Sequence, residues 1–167
     1  MYCRISKILL SIGLLSLLFS CSDNASDDTE PPKISNLEVG YRPMGQHLDT
    51  LWINSDSSYF KVHLSDNVGL STYLVKIYST KEPTSTDSMY LSYKGIWSNA
   101  TSFGKTDIDI LKNLKLDYVQ TDTASSVTKP VIPGDYKFMI VSLDLAGNAD
   151  TIYKDIMLVY PDTTSIK

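Results

Sequence analysis

Three short segments carry most of the oxygen donors that could act together in this chain: Asp28 with Glu30, Asp66-Asn67, and Asp144 with Asn148. Carboxylates and amide carbonyls suit a hard cation, and Ca²⁺ takes six to eight oxygens in a flexible cage. None of the segments is an EF-hand loop, so they form a cation site only where the fold brings them together. The same residues also suit turns: Asp and Asn side chains bond to nearby backbone, and Gly69 and Gly147 tolerate a positive φ. A second group is aromatic. Tyr90, Tyr93 and Trp97 lie close together in the chain. An exposed row of such rings would bind a sugar or a protein, whereas inward-facing rings would simply pack a β-core.

Catalytic machinery is missing. His47 and His63 are the only histidines, and His63 alternates with Tyr59 and Lys61 on what reads as a solvated strand face. No serine sits in a Gly-x-Ser-x-Gly elbow, no HExxH pair is present, and no glycine loop cradles a phosphate. The acids lie mostly beside Ser and Thr, so no glycosidase pair stands out. The sequence therefore predicts no enzyme and no catalytic residue.

The two cysteines bound the rest. Arg4 and Lys7 precede an apolar run from Ile8 to Phe19, and Ser20 then stands before Cys21. The run is shorter than the roughly 20 residues a bilayer span needs, so residues 1–20 read as a signal peptide. Leu18 three residues before the cysteine and Ser20 next to it resemble the lipobox of bacterial lipoproteins, with Phe19 larger than is usual there. The resemblance implies that Cys21 is lipidated and that the membrane is a partner through that lipid. Cys3 leaves with the signal, so the exported domain has no disulfide and no thiolate chemistry. Loss of Arg4 and Lys7 leaves 13 basic against 19 acidic residues, a formal charge of −6. An acidic chain without a basic tract is a poor nucleic-acid binder.

Stepping from Cys21 towards the acids, residues 21–32 form an acidic, Pro-Pro-terminated tether that has too little apolar surface to fold. From Lys33 the pattern turns β-like. Phe60, Val62 and Leu64 alternate with polar neighbours, as do Tyr73, Val75 and Ile77, which fits half-buried strands. Asp66-Asn67-Val68-Gly69 and Asp144-Leu145-Ala146-Gly147-Asn148 read as turns. Met89 to Trp97 looks like a strand, and Leu114, Leu116 and Tyr118 favour another over 113–120. Tyr136 to Asp144 and Thr151 to Val159 close the domain. Short strands without a long helix predict an all-β sandwich over residues 33–160, followed by a tail at 161–167.

Pro133-Gly134-Asp135-Tyr136-Lys137-Phe138 and the later Asp144–Asn148 segment resemble strands F and G of immunoglobulin-like and fibronectin-type-III-like antiparallel β-sandwiches. Tyr136 stands where those folds place the tyrosine corner, and Gly134 and Gly147 take structural positions beside it. With the lipobox and the acidic tether, the chain resembles a family of lipoproteins from gut-type Gram-negative bacteria that carry one immunoglobulin-like domain of unknown function. Lys137 stands where that family usually has a histidine. The resemblance implies that Asp28, Glu30, Asp66, Asn67, Asp144 and Asn148 meet at one pole, where Ca²⁺ would be the cofactor. It also implies a lipid-anchored outer-membrane protein, surface-exposed or on the periplasmic face. Such a protein would act as a binding or scaffolding module, with a carbohydrate-binding accessory role as the alternative.

Overall fold

The computed structural model describes residues 27–81, 87–98 and 102–161. Residues 1–26, which include the expected signal peptide and Cys21, and the tail from Asp162 lie outside the described residues. No helix among the described residues is long and apolar enough to cross a membrane.

The described residues form an all-β structure. Its strands are β1 (Lys33–Tyr41), β2 (His47–Leu48), β3 (Thr50–Trp52), β4 (Ser58–Ser65), β5 (Leu70–Tyr78), β6 (Ser92–Ser98), β7 (Asp107–Asn113), β8 (Val119–Thr121), β9 (Thr128–Pro130), β10 (Gly134–Asp144) and β11 (Ala149–Val159). One sheet runs β2-β1-β4-β7, a second runs β3-β11-β10-β5-β6, and β8 pairs with β9 alone. All pairings are antiparallel except β3 with β11, which is parallel.

Period-two alternation places the core between the two larger sheets. Val39, Phe60, Val62, Leu64 and Ile110 come from one sheet, and Tyr73, Val75, Ile77, Phe138, Ile140 and Leu158 from the other. Each fully buried side chain of this size contributes about 1.5–3 kcal/mol, which is how a domain without a disulfide is held. Phe60 packs at 5.7 Å on Phe138 and at 5.9 Å on Trp97, joining the sheets through rings.

The strand expected over 113–120 is not formed. The chain leaves β7 after Asn113. Leu114 and Leu116 lie outside any strand yet are fully buried, the Leu114 amide donating to the Ser58 carbonyl at 2.8 Å and the Leu116 carbonyl accepting from the Asn54 amide at 2.6 Å. Their alternation comes from an extended segment that plugs the core, a pattern identical in sequence to a paired strand. Tyr59 also departs from the solvated face assigned to it, because it is fully buried. Its hydroxyl donates to Glu38 and accepts from the Gly45 amide at 3.1 Å, so the loop after β1 covers it. Strand β6 begins at Ser92 rather than Met89. Met89 instead forms an isolated bridge to Val131.

The ends of β4 and β10, the starts of β5 and β11, and the start of β1 lie at one pole. The tether enters there, and this is the N-terminal pole. The long connection 114–133 lies at the other.

Candidate metal centre

Each of the two turns at the N-terminal pole is locked by its own aspartate. Asp66 Oδ2 accepts from the amides of Val68 at 3.0 Å and Gly69 at 2.5 Å. Asp144, only 3% exposed, accepts at Oδ1 from Gly147 at 2.6 Å and Asn148 at 2.8 Å. Gly147 takes φ 94°, a left-handed conformation that a side chain would strain, and Gly134 opens β10 at φ 128°. The Leu145 amide donates to the Gly69 carbonyl at 2.9 Å, which clamps one turn against the other.

The tether completes the pole. Asp28 Oδ1 accepts from the Glu30 amide at 3.0 Å and from Asn67 Nδ2 at 3.1 Å. Asn148 Nδ2 donates to the Asp28 carbonyl at 3.0 Å and to Asp144 Oδ2 at 2.8 Å. Asp28, Asp66 and Asp144 each then offer an oxygen within 4.8 Å of the other two. Oxygens that share one Ca²⁺ at 2.3–2.6 Å lie no more than roughly 5 Å apart.

Two features mark this cluster as more than a pair of turns. Asp28 Oδ2 and Asp66 Oδ1 are buried and have no hydrogen-bond partner. No ion pair with Lys, Arg or His engages any of the three aspartates among the described residues. Carboxylates at this separation repel by about 3 kcal/mol per pair at an effective dielectric near 20. A divalent cation between them would add an attraction to each carboxylate that outweighs this repulsion.

The six residues named from sequence divide into three roles. Asp28, Asp66 and Asp144 turn carboxylate oxygens towards one point. Asn67 and Asn148 touch the cluster through their amide nitrogens, so they donate to the acids and orient them. Glu30 contributes its backbone: its amide bonds to Asp28, and its carbonyl accepts from Asn148 at 3.5 Å. The remaining coordination would come from water and carbonyls.

The aromatic group is placed differently. Trp97 stacks on Tyr73 at 5.2 Å, and its indole covers Gly95, where an added Cβ would lie 2.2 Å from the ring. Tyr90 meets the edge of Tyr136 at 5.8 Å. With Tyr93, these rings pack against the core and present no common exposed strip. A stack that sequence reasoning missed lies at the far pole. Tyr41 is sandwiched between His47 and Trp52, each at 4.2 Å. Its members come from three strands, so no spacing along the chain announces it. Also at that pole, the Tyr136 hydroxyl donates to the Ile132 carbonyl at 2.6 Å and accepts from the Leu91 amide at 3.0 Å.

A family model matches residues 19–159, from the end of the apolar leader to the last residue of β11. The chain belongs to the family described as Domain of unknown function (DUF4625). No curated protein matches it. The three aspartates of the cluster all fall inside the DUF4625 match.

Proposed function

We propose that this DUF4625 chain is a non-enzymatic, lipid-anchored cell-envelope module of immunoglobulin-like type. Its N-terminal pole closes on Ca²⁺ and fixes the domain relative to its anchor, leaving the rest of the surface to bind or scaffold a partner. One observation carries the reading: buried, unpartnered carboxylate oxygens of Asp28 and Asp66 converge with Asp144, and Asp28 belongs to the tether. A cation held there ties the linker to both turns, which converts a flexible leash into a stiff arm.

Other observations support the finer points. The sheet order β1-β4-β7 against β3-β11-β10-β5-β6 follows the two-sheet strand pattern of immunoglobulin-like domains, and the Tyr136 to Ile132 bond has tyrosine-corner geometry. Leu18 to Cys21 supports lipidation, and the acids after Cys21 support an outer-membrane, surface-facing position. Among the described residues the ion pairs of His63 are with Asp107 at 3.3 Å and Asp109 at 3.0 Å, an exposed carboxylate setting that supports a binding module.

The test is calorimetry and thermal melting of the full chain in non-ionic detergent, with Ca²⁺ or with chelator. Ca²⁺ at a hundredfold its dissociation constant adds about 2.7 kcal/mol, a rise in melting temperature of roughly 5–10 °C for a domain of this size. Asp66→Asn should abolish the rise. A melting temperature indifferent to both additions overturns the cation clamp. Separately, Cys21→Ala should release the chain from the membrane fraction, and retention there would overturn the anchor.

A further inference from the structure

Strand register sets two Asp, Glu, Lys, Arg or His side chains opposite each other at four places among the described residues. Glu38 faces Lys61, Lys137 faces Asp155, and His63 faces Asp109. These three pairs match in sign or can do so. The fourth sets Lys76 of β5 against Lys94 of β6. Side chains directly opposite stand roughly 5 Å apart at Cβ, and like charges there destabilise a sheet. Among the described residues neither lysine has an acidic partner. The chain around them carries an excess of acids, so the mismatch does not reflect a shortage of counter-charge.

The two lysines line a concavity of about 430 Å³ together with Tyr78, Ser92, Tyr93 and Met139. Met139 of β10 lies opposite Lys76, and Tyr78 lies opposite Ser92, so the hollow spans the outer face of β10, β5 and β6. Strand β6 ends the sheet among the described residues. The size of the hollow is within the range of small-ligand sites.

We propose that this concavity binds a carboxylate-bearing sugar chain. Two ammonium groups bracketing one carboxylate replace the repulsion between them with two charge-assisted hydrogen bonds. The Tyr78 ring and the Met139 side chain supply apolar contact for a sugar face, and the Ser92 and Tyr78 hydroxyls supply partners for its hydroxyls. An acidic peptide fits less well. A strand added to the β6 edge would lie beside Lys94 and leave Lys76 and Met139, one and two strands further in, uncovered. The site is remote from the acidic pole and does not depend on a cation there.

The experiment is calorimetry of the detergent-solubilised full chain at low salt with three probes: tetragalacturonic acid, its methyl ester and hexaglutamate. The acid should bind. Its affinity should fall at least tenfold with Lys76→Gln, with Lys94→Gln and with the ester, and should be the same with Ca²⁺ or chelator. Lys61→Gln, on the other sheet, should leave it unchanged. No binding of the acid, equal affinity for the ester, or equally tight lysine-dependent binding of hexaglutamate would overturn the proposal. Lys94→Glu should raise the melting temperature of the free chain, and a fall would remove its electrostatic premise.

Discussion

At the N-terminal pole the chain turns tightly within 66–69 and 145–148, and at the far pole it takes the long connection 114–133. Both poles face the same difficulty, since backbone groups that leave a sheet need partners. At the N-terminal pole these two turns meet it locally, with Asp66 and Asp144 each taking two amides of their own turn, while the 102–106 segment bonds across to Asp66 and Leu70. The far pole meets it at long range. Leu91, Leu114, Leu116 and Val131 plug the core, and the Tyr136 and Tyr160 hydroxyls hold the carbonyls of Ile132 and Val131. The local solution concentrates negative charge and so creates a place for a cation. The long-range solution yields an end rigid by packing and insensitive to ions.

The sharpest way to break this contrast is Leu116→Ala. Truncating a fully buried leucine costs about 2–5 kcal/mol, depending on how far the site collapses. Urea denaturation should show a lower midpoint, and the increment due to Ca²⁺ should be unchanged, because the plug and the cation site share no residue. An effect below about 1 kcal/mol would mean that the 114–133 segment is not part of the core.

Two buried tyrosines sharpen the comparison. Burial pushes both Tyr73 and Tyr136 up to about 12, yet only Tyr136 has hydrogen-bond partners. The Tyr73 hydroxyl is buried and has none. Tyr136→Phe leaves a buried amide and carbonyl unsatisfied and should cost about 1–3 kcal/mol. Tyr73→Phe removes an unsatisfied group and should be neutral or stabilising by up to about 1 kcal/mol. Both phenols are raised above their unfolded value near 10. The stability they carry is therefore complete below pH ~10 and is lost as pH rises towards 12. Alkaline melts of the two variants should each lose part of that slope, and an unchanged profile would show that neither phenol stays protonated in the fold.

How far each pole could be read from residues follows from the same contrast. Asp66-Asn67-Val68-Gly69 and Asp144 to Asn148 announce their turns because the bonds that make them span only a few residues. The alternation in β4, β5 and β10 is equally legible. Leu114 and Leu116 are not, because a plug and a paired strand bury every second residue alike. Tyr59 breaks its alternation because a distant loop covers it. Within the acidic site, the topology was enough to gather Asp28, Asp66 and Asp144. Nothing local shows that Asn67 and Asn148 present nitrogen, or that Glu30 presents backbone. The Lys76–Lys94 pair exists only as a register, which no single strand records.

The smallest expected effect lies at the far pole, where one carboxylate uses the local device of the other end. Asp122 accepts from Lys129 Nζ at 2.9 Å and from the Ala124 amide at 2.9 Å, between β8 and β9. The Lys129 ammonium, then these neighbouring donors, hold its carboxyl well below the usual carboxylate range. A depressed folded value means that the contribution is present above the unfolded value near 4 and fades as pH falls towards the folded one. Amide exchange across 119–130 should therefore quicken below pH 4 while the β10–β11 amides stay protected. If Asp122→Asn leaves that exchange unchanged at neutral pH, the ion pair does not hold the hairpin. The plugs and the Val131 amide, which donates to the Tyr118 carbonyl at 2.9 Å, then do so alone.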